Sequence, residues 1–261
     1  MTPPADPQVA SAARTLVDAR VSGRRLAALP EALRPRDAAT AYAIQDEVLR
    51  LLGQHIGAWK VSMDDAEHGC YAPFMERDLR PSPAELPPAM AATAGLTQFG
   101  VEPEIAFRIG QPLPTVAGNA AQRRDAVMAA IESVHAVLEI VVSRYAAPNE
   151  LSLLDRLADS LINEALILGP ACRAWRELPL AALPLTVRVD GQSVHQGVGG
   201  HPLGDPLLPL VWFATTMSGM GRGLQPGAIV TTGSCNGLRM VAAGSSVQAE
   251  FAGLGAAAVQ F

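Results

Sequence analysis

Lysine is almost missing from this chain. Of its 20 basic side chains only Lys60 is a lysine, and all the others are arginine. Cysteine is scarce as well: Cys70, Cys172 and Cys235 are far apart, odd in number and form no CxxC pair. That excludes a disulfide framework and a cysteine zinc site, and it fits free thiols in a reducing cytoplasm. No basic cluster exceeds the pairs Arg24-Arg25 and Arg123-Arg124, and the formal charge is -5. Nucleic acid is thereby excluded as the main partner. No uncharged apolar run reaches the roughly 20 residues of a membrane span. The opening Met1-Thr2-Pro3-Pro4-Ala5-Asp6 lacks the basic-then-apolar pattern of a signal peptide. A GxGxxG opening a helix, a Walker A segment and a GxSxG elbow are all missing. Gly197-Val198-Gly199-Gly200 reads as a turn ahead of His201-Pro202.

What is present is a globular composition, 49% hydrophobic and 17% charged over 261 residues. That length builds a core readily, as one large domain or two small ones. Residues 1–56 read as a helical segment. One helix covers residues 8 to 21. A second runs from an Asp37 N-cap through Leu52, with Ile44, Val48, Leu51 and Leu52 on one stripe and Gly53 as its stop. From residue 57 to 261 the texture changes to short apolar runs between the chain's many prolines and glycines. Strands are expected at Gly57–Met63, Val101–Ile109, Ala136–Ser143, Glu164–Leu168, Leu185–Val189, Ala228–Thr232, Val247–Phe251 and Ala257–Phe261. Helices are expected at 121–134 and 206–222, and a long loop from Arg80 to Gly100. The class is α+β, without regular βαβ alternation.

The chemistry lies in three glutamates. In Val101-Glu102-Pro103-Glu104-Ile105-Ala106-Phe107-Arg108 the apolar residues take one face of a strand. Glu102 and Glu104 therefore share the other face, either as a solvated face or as a pair neutralised by a cation. The run Ala136-Val137-Leu138-Glu139-Ile140-Val141-Val142 carries one charge at the centre of an apolar strand. A buried Glu139 needs a partner, an arginine or a metal. Three carboxylates are the donor set that Mg²⁺ or Mn²⁺ favours, and without a histidine or cysteine cluster zinc is disfavoured.

Several segments resemble one family. Val101–Phe107 is similar to its G-V-E-x-E-I-A-F strand, and Val134–Tyr145 to its V-x-P-A-I-E-I-V-D-S-R-Y segment. Ala41-Tyr42-Ala43-Ile44-Gln45, Trp59-Lys60-Val61, Gly200-His201-Pro202-Leu203, Pro226–Ser234 and Val247–Gly255 follow the same order. The family is the 2-oxopent-4-enoate hydratases and 4-oxalocrotonate decarboxylases, within the fumarylacetoacetate hydrolase superfamily. The resemblance implies a curved, mixed β-sheet roll behind N-terminal helices. It implies Mg²⁺ or Mn²⁺ held by Glu102, Glu104 and Glu139. Substrates would be short 2-oxo acids, or 2-hydroxy-dienoates whose carboxylate and adjacent oxygen form a chelating pair. Lys60 is then the candidate acid-base group, with Asp78 as its acidic partner and Glu76 as the rival. Thr232 and Ser234, at a strand end in a glycine-containing turn, suit hydrogen bonds to substrate oxygens or a plain ST-turn. A cytoplasmic homo-oligomer is implied too, or a complex with a homologous pathway enzyme.

The sequence departs from the family pattern after Lys60, where it reads Val61-Ser62-Met63-Asp64-Asp65, and again at Val142, at Ile162-Asn163-Glu164-Ala165 and at Cys235-Asn236. Hydration of 2-hydroxypenta-2,4-dienoate is the first reading. Decarboxylation of a 4-oxalocrotonate type comes second. An acylpyruvate C–C hydrolase would need a histidine–glutamate pair, for which Glu67-His68 in a loop or Glu132 with His135 stand available. A non-catalytic homologue completes the set.

Overall fold

The computed structural model describes residues 6–86 and 96–261. The two N-terminal helices form where expected. Helix α1 (Pro7–Ser22) starts under the Asp6 carboxylate, which accepts from the Gln8 amide at 2.8 Å, and ends at Gly23 with φ 70°. Helix α2 (Ala38–Leu51) is capped by Asp37, which accepts from the Thr40 amide at 2.7 Å. The two pack with Ala72, Met75, Tyr145 and Leu157 in one apolar cluster.

Thirteen strands follow among the described residues: β1 (Ile56–Met63), β2 (Gly69–Met75), β3 (Leu79–Pro81), β4 (Ala84–Glu85), β5 (Gln98–Ile109), β6 (Ile131–Val141), β7 (Asn163–Leu168), β8 (Pro184–Val189), β9 (Gln192–Val198), β10 (Ile229–Ser234), β11 (Arg239–Ala242), β12 (Ser246–Phe251) and β13 (Gly255–Gln260). The larger sheet has eight strands in the order β2-β1-β10-β5-β6-β7-β3, with β11 on the outer stretch of β5. The smaller has five, β4-β13-β12-β8-β9. Both are mixed: β1 with β10, β3 with β7 and β4 with β13 run parallel, the rest antiparallel. The main core lies between the sheets, where Ile105, Phe107, Leu138 and Ile140 meet Leu185, Val247, Phe251 and Val259.

The helix expected at 121–134 is too long. Helix α3 (Ala120–Ala130) opens with a reciprocal Asn119–Gln122 capping box and stops at Ala130, and β6 begins at once. Ile131 has φ -74° and ψ 123°. Val127, Ala130, Ile131 and Val134 have helical spacing, but the last two also fit a strand. Pairing of Ile131 with Ile109 and of Val134 with Phe107 decides for the strand. Helix α4 (Leu153–Ala158) is short, and α5 (Leu207–Gly219) ends before the expected residue 222. The loop expected from Arg80 to Gly100 is interrupted by β3, β4 and the start of β5, and residues 87–95 lie outside the described residues. No helix among the described residues is long and apolar enough to cross a membrane.

The larger sheet is curled. Lys60 on β1 and Glu139 on β6 are three strand positions apart, about 14 Å in a flat sheet. Their side chains nevertheless meet at 2.6 Å. Side chains stand nearly perpendicular to a sheet, so the contact requires its two flanks to fold toward each other.

A candidate carboxylate metal centre

Glu102 and Glu104 share one face of β5, while Val101, Ile105 and Phe107 enter the core from the other. In the β5–β6 ladder Glu139 stands directly opposite Glu102. One carboxylate oxygen from each of the three lies within 4.8 Å of the others. Like charges opposite each other destabilise a ladder. Lys60, the lone lysine, relieves part of this. Its Nζ donates to Glu139 Oε1 at 2.6 Å and to the Leu161 carbonyl at 3.3 Å, and stands 3.8 Å from Glu102 Oε2. Lys60, Glu104 and Glu139 are all buried.

The electrostatics remain unbalanced. Burial pushes Glu139 well above the usual carboxylate range, against the pull of Lys60. Burial and the Glu102 charge lift Glu104 to about 7, although Thr231 Oγ1 and the Gly233 amide at 3.0 Å both donate to its Oε2. Burial alone would lower Lys60; the Glu139, Glu102 and Glu104 carboxylates outweigh it and hold the ammonium above its ordinary pKa. Three carboxylates thus face one cation. Glu139 Oε2 is buried with no hydrogen-bond partner among the described residues. A buried carboxylate oxygen without a donor is costly. An all-oxygen donor set with surplus negative charge and an orphaned oxygen fits a hard divalent ion.

The other expected residues stand elsewhere. Asp78 faces Arg20 at 3.8 Å and Arg77 at 3.6 Å, and burial raises its pKa. None of its ion pairs reaches Lys60 or the glutamates. Glu76 is exposed. Thr232 Oγ1 donates to the Ile105 carbonyl at 3.2 Å, and Ser234 Oγ to the Gly237 carbonyl at 3.1 Å. Both hydroxyls serve the backbone, and Ser234 Oγ also accepts from the Asn236 amide at 3.4 Å as an ST-type turn. Glu67 and His68 sit in the β1–β2 loop, with His68 on Asp65 at 2.9 Å. Glu132 pairs with Arg173 at 2.9 Å, and the His135 ring lies between Ser133 Oγ and the Gly169 carbonyl. Neither histidine forms the pair that a hydrolase would need.

Three groups escaped the sequence reading. Thr231 pairs with Ala106, on the glutamate face of β5, and only the β5–β10 pairing, not the alternation along either strand, reveals it. His201 accepts from the Leu203 amide through Nδ1, so its Nε2 carries the proton donated to the Thr232 carbonyl at 2.7 Å. Gly200 beside it has φ 101°, and a Cβ there would lie 2.2 Å from the Cys235 carbonyl oxygen. The third group is the Leu161 carbonyl, a backbone atom that no side-chain pattern marks.

The chain is 29% identical to a 2-keto-4-pentenoate hydratase of Burkholderia vietnamiensis (strain G4 / LMG 22486), covering 98% of both chains. The solved 4-oxalocrotonate decarboxylase of Pseudomonas putida G7, complexed with magnesium and adipate, superposes with a TM-score of 0.83 at 21% identity, over 97% of each chain. A fumarylpyruvate hydrolase of Pseudomonas aeruginosa, solved with Mn²⁺ and pyruvate, reaches 0.54 at 17% identity, over 78% of this chain and 88% of its own. The family model described as fumarylacetoacetate (FAA) hydrolase C-terminal matches residues 82–261. By that match, the chain belongs to the fumarylacetoacetate hydrolase C-terminal family.

Proposed function

We propose that this protein is a divalent-metal-dependent lyase for short 2-oxo acids, hydrating 2-hydroxypenta-2,4-dienoate to 4-hydroxy-2-oxopentanoate. The observation that carries the reading is the buried cluster of Lys60 with Glu102, Glu104 and Glu139, including the orphaned Glu139 Oε2. Full-length similarity to a hydratase supplies the substrate class. The three glutamates would hold Mg²⁺ or Mn²⁺, which supplies Lewis-acid polarisation of a carboxylate and the oxygen beside it. Lys60 Nζ, fixed by Glu139 and the Leu161 carbonyl, stands ready to hold or deliver a proton as the dienol becomes the ketone. Glu104 is kept in place by Thr231 and Gly233. Decarboxylation of a 4-oxalocrotonate type is the second reading, favoured by a fold shared over the whole length with a decarboxylase.

The aromatic meta-cleavage setting, the cytoplasm and the homo-oligomer come from the family resemblance. The free thiols of Cys70, Cys172 and Cys235 suit a reducing compartment. Sedimentation of the purified protein checks its assembly.

The deciding experiment incubates the protein and Mg²⁺ with 2-hydroxypenta-2,4-dienoate, then 4-oxalocrotonate, then an acylpyruvate, following absorbance and products. Loss of the dienol with formation of the hydroxy-oxo acid is expected. Turnover of 4-oxalocrotonate alone would favour the decarboxylase, and turnover of the acylpyruvate alone would overturn the lyase reading.

A further inference from the structure

Between α4 and β7 the backbone does something costly. Ser160, Leu161 and Ile162 are consecutive and all left-handed, with φ of 51°, 51° and 58°. None is a glycine, and Ile162 is β-branched. L residues other than glycine are disfavoured in the left-handed region, and runs of them are rare. Strain of this kind persists only where the surroundings over-determine it, and it collects at functional sites.

The surroundings here are dense. Arg144, buried just beyond β6, grips both ends of the turn. Its Nη2 donates to the Asp159 carbonyl at 3.0 Å and its Nη1 to the Asn163 carbonyl at 2.9 Å. Its Nε is hydrogen-bonded to the Asp159 carboxylate, which also accepts from the Arg144 amide at 3.0 Å and from Ser143 Oγ at 3.2 Å. The Asn163 side chain ties the exit of the turn to the Pro73 carbonyl on β2 at 3.0 Å. Arg20 of α1 adds a bond to the Asn163 carbonyl at 3.2 Å. At the crest of the turn, the Leu161 carbonyl accepts from Lys60 Nζ at 3.3 Å.

We infer that the Asp159–Asn163 turn is a positioning device, with Arg144 and Asp159 as positioning residues that aim the Leu161 carbonyl at Lys60. The left-handed run presents a main-chain oxygen to the ammonium. Lys60 is thus held from two sides, by a carboxylate of the metal centre and by a neutral oxygen outside it. This rests on the proposed role of Lys60, and its test does not depend on that role.

Lys60 is the chain's only lysine. The rate at which an amine-directed acylating reagent modifies it, read on the Lys60 peptide by mass spectrometry, therefore reports one side chain. Two variants loosen the turn without touching Lys60 or a glutamate. Asp159→Asn removes the ion pair with Arg144, and Asn163→Ala removes the neutral tie to β2, which a fold tolerates more easily. The expected result, in whichever variant keeps its circular dichroism, is acylation about tenfold faster with Mn²⁺ affinity changed less than threefold. With a turned-over substrate, kcat falls about tenfold and KM holds. Parental acylation rates in a folded variant would overturn the positioning role, whatever the activity. Loss of Mn²⁺ affinity in step with faster acylation would also overturn it, since the turn would then be holding the whole centre. If no substrate is turned over, the lyase reading fails while the acylation rates still decide on the turn.

Discussion

At the scale of single residues, Glu139 does two things at once. One oxygen neutralises Lys60 at 2.6 Å, and the other is left for something else. Glu139→Gln is therefore expected to abolish Mg²⁺ binding measured by calorimetry while the fold remains; unchanged affinity would remove Glu139 from the centre. Lys60→Arg is expected to lose about 100-fold or more in kcat at neutral pH, the usual scale for a lost acid-base group. An arginine does not give up its proton, and its planar fork does not fit a site shaped for an ammonium. A fully active Lys60→Arg variant would take Lys60 out of the mechanism. Glu104 sets a pH signature. Its carboxyl, raised to about 7 by burial and Glu102, keeps its proton in the folded metal-free state where the unfolded chain has lost it. The folded state binds the extra proton, so metal-free stability falls as pH rises toward 7. Scanning calorimetry with a chelator should show the midpoint dropping over that range. Saturating Mg²⁺, which displaces the proton, should flatten the dependence.

At the scale of elements, the turn chemistry can be tested apart from the site. Asn119→Ala breaks the capping box of α3 and is expected to cost about 1 kcal/mol in denaturant unfolding, with kinetics unchanged. Legibility in the sequence varied with how many signals agreed. Helix α2 was legible because Asp37, a regular apolar stripe and Gly53 coincide. The Glu102–Glu139 pairing was half legible: strand alternation showed which face each glutamate takes, but not that the two would stand opposite each other. The end of α3 was not legible, since Ile131 and Val134 satisfy both periods and only the partner strand chooses. Strand β9 carries Gln192, Ser193 and Gln196 on an exposed sheet edge and offered no apolar alternation to read. The Ser160–Ile162 turn was hidden altogether. Its residues prefer other conformations, and what holds them is an arginine from another part of the chain.

At the scale of the whole molecule, α1 is fastened to the larger sheet by charge. Arg20 stands 3.3 Å from Glu164 and 3.8 Å from Asp78, and its side chain is only 9% exposed. Arg20→Ala would take one of two cations from each carboxylate, since Arg144 stands 2.8 Å from Glu164 and Arg77 3.6 Å from Asp78, and is expected to cost about 2 kcal/mol. Hydrogen exchange should show α1 losing protection ahead of the sheets; uniform loss everywhere would mean the helix is no separate unit of opening. The curl of the larger sheet has a consequence in time. Lys60 belongs to β1, its target glutamates to β5 and β6, and the strand that lies between these two groups is β10. Residues 229–234 fill the place between them, and they come later in the chain than either β1 or the glutamates. A β5–β6 ladder that pairs ahead of β10 has two carboxylates opposed and no lysine beside them. A divalent ion present during refolding should accordingly speed the late phase of assembly, and a chelator should slow it.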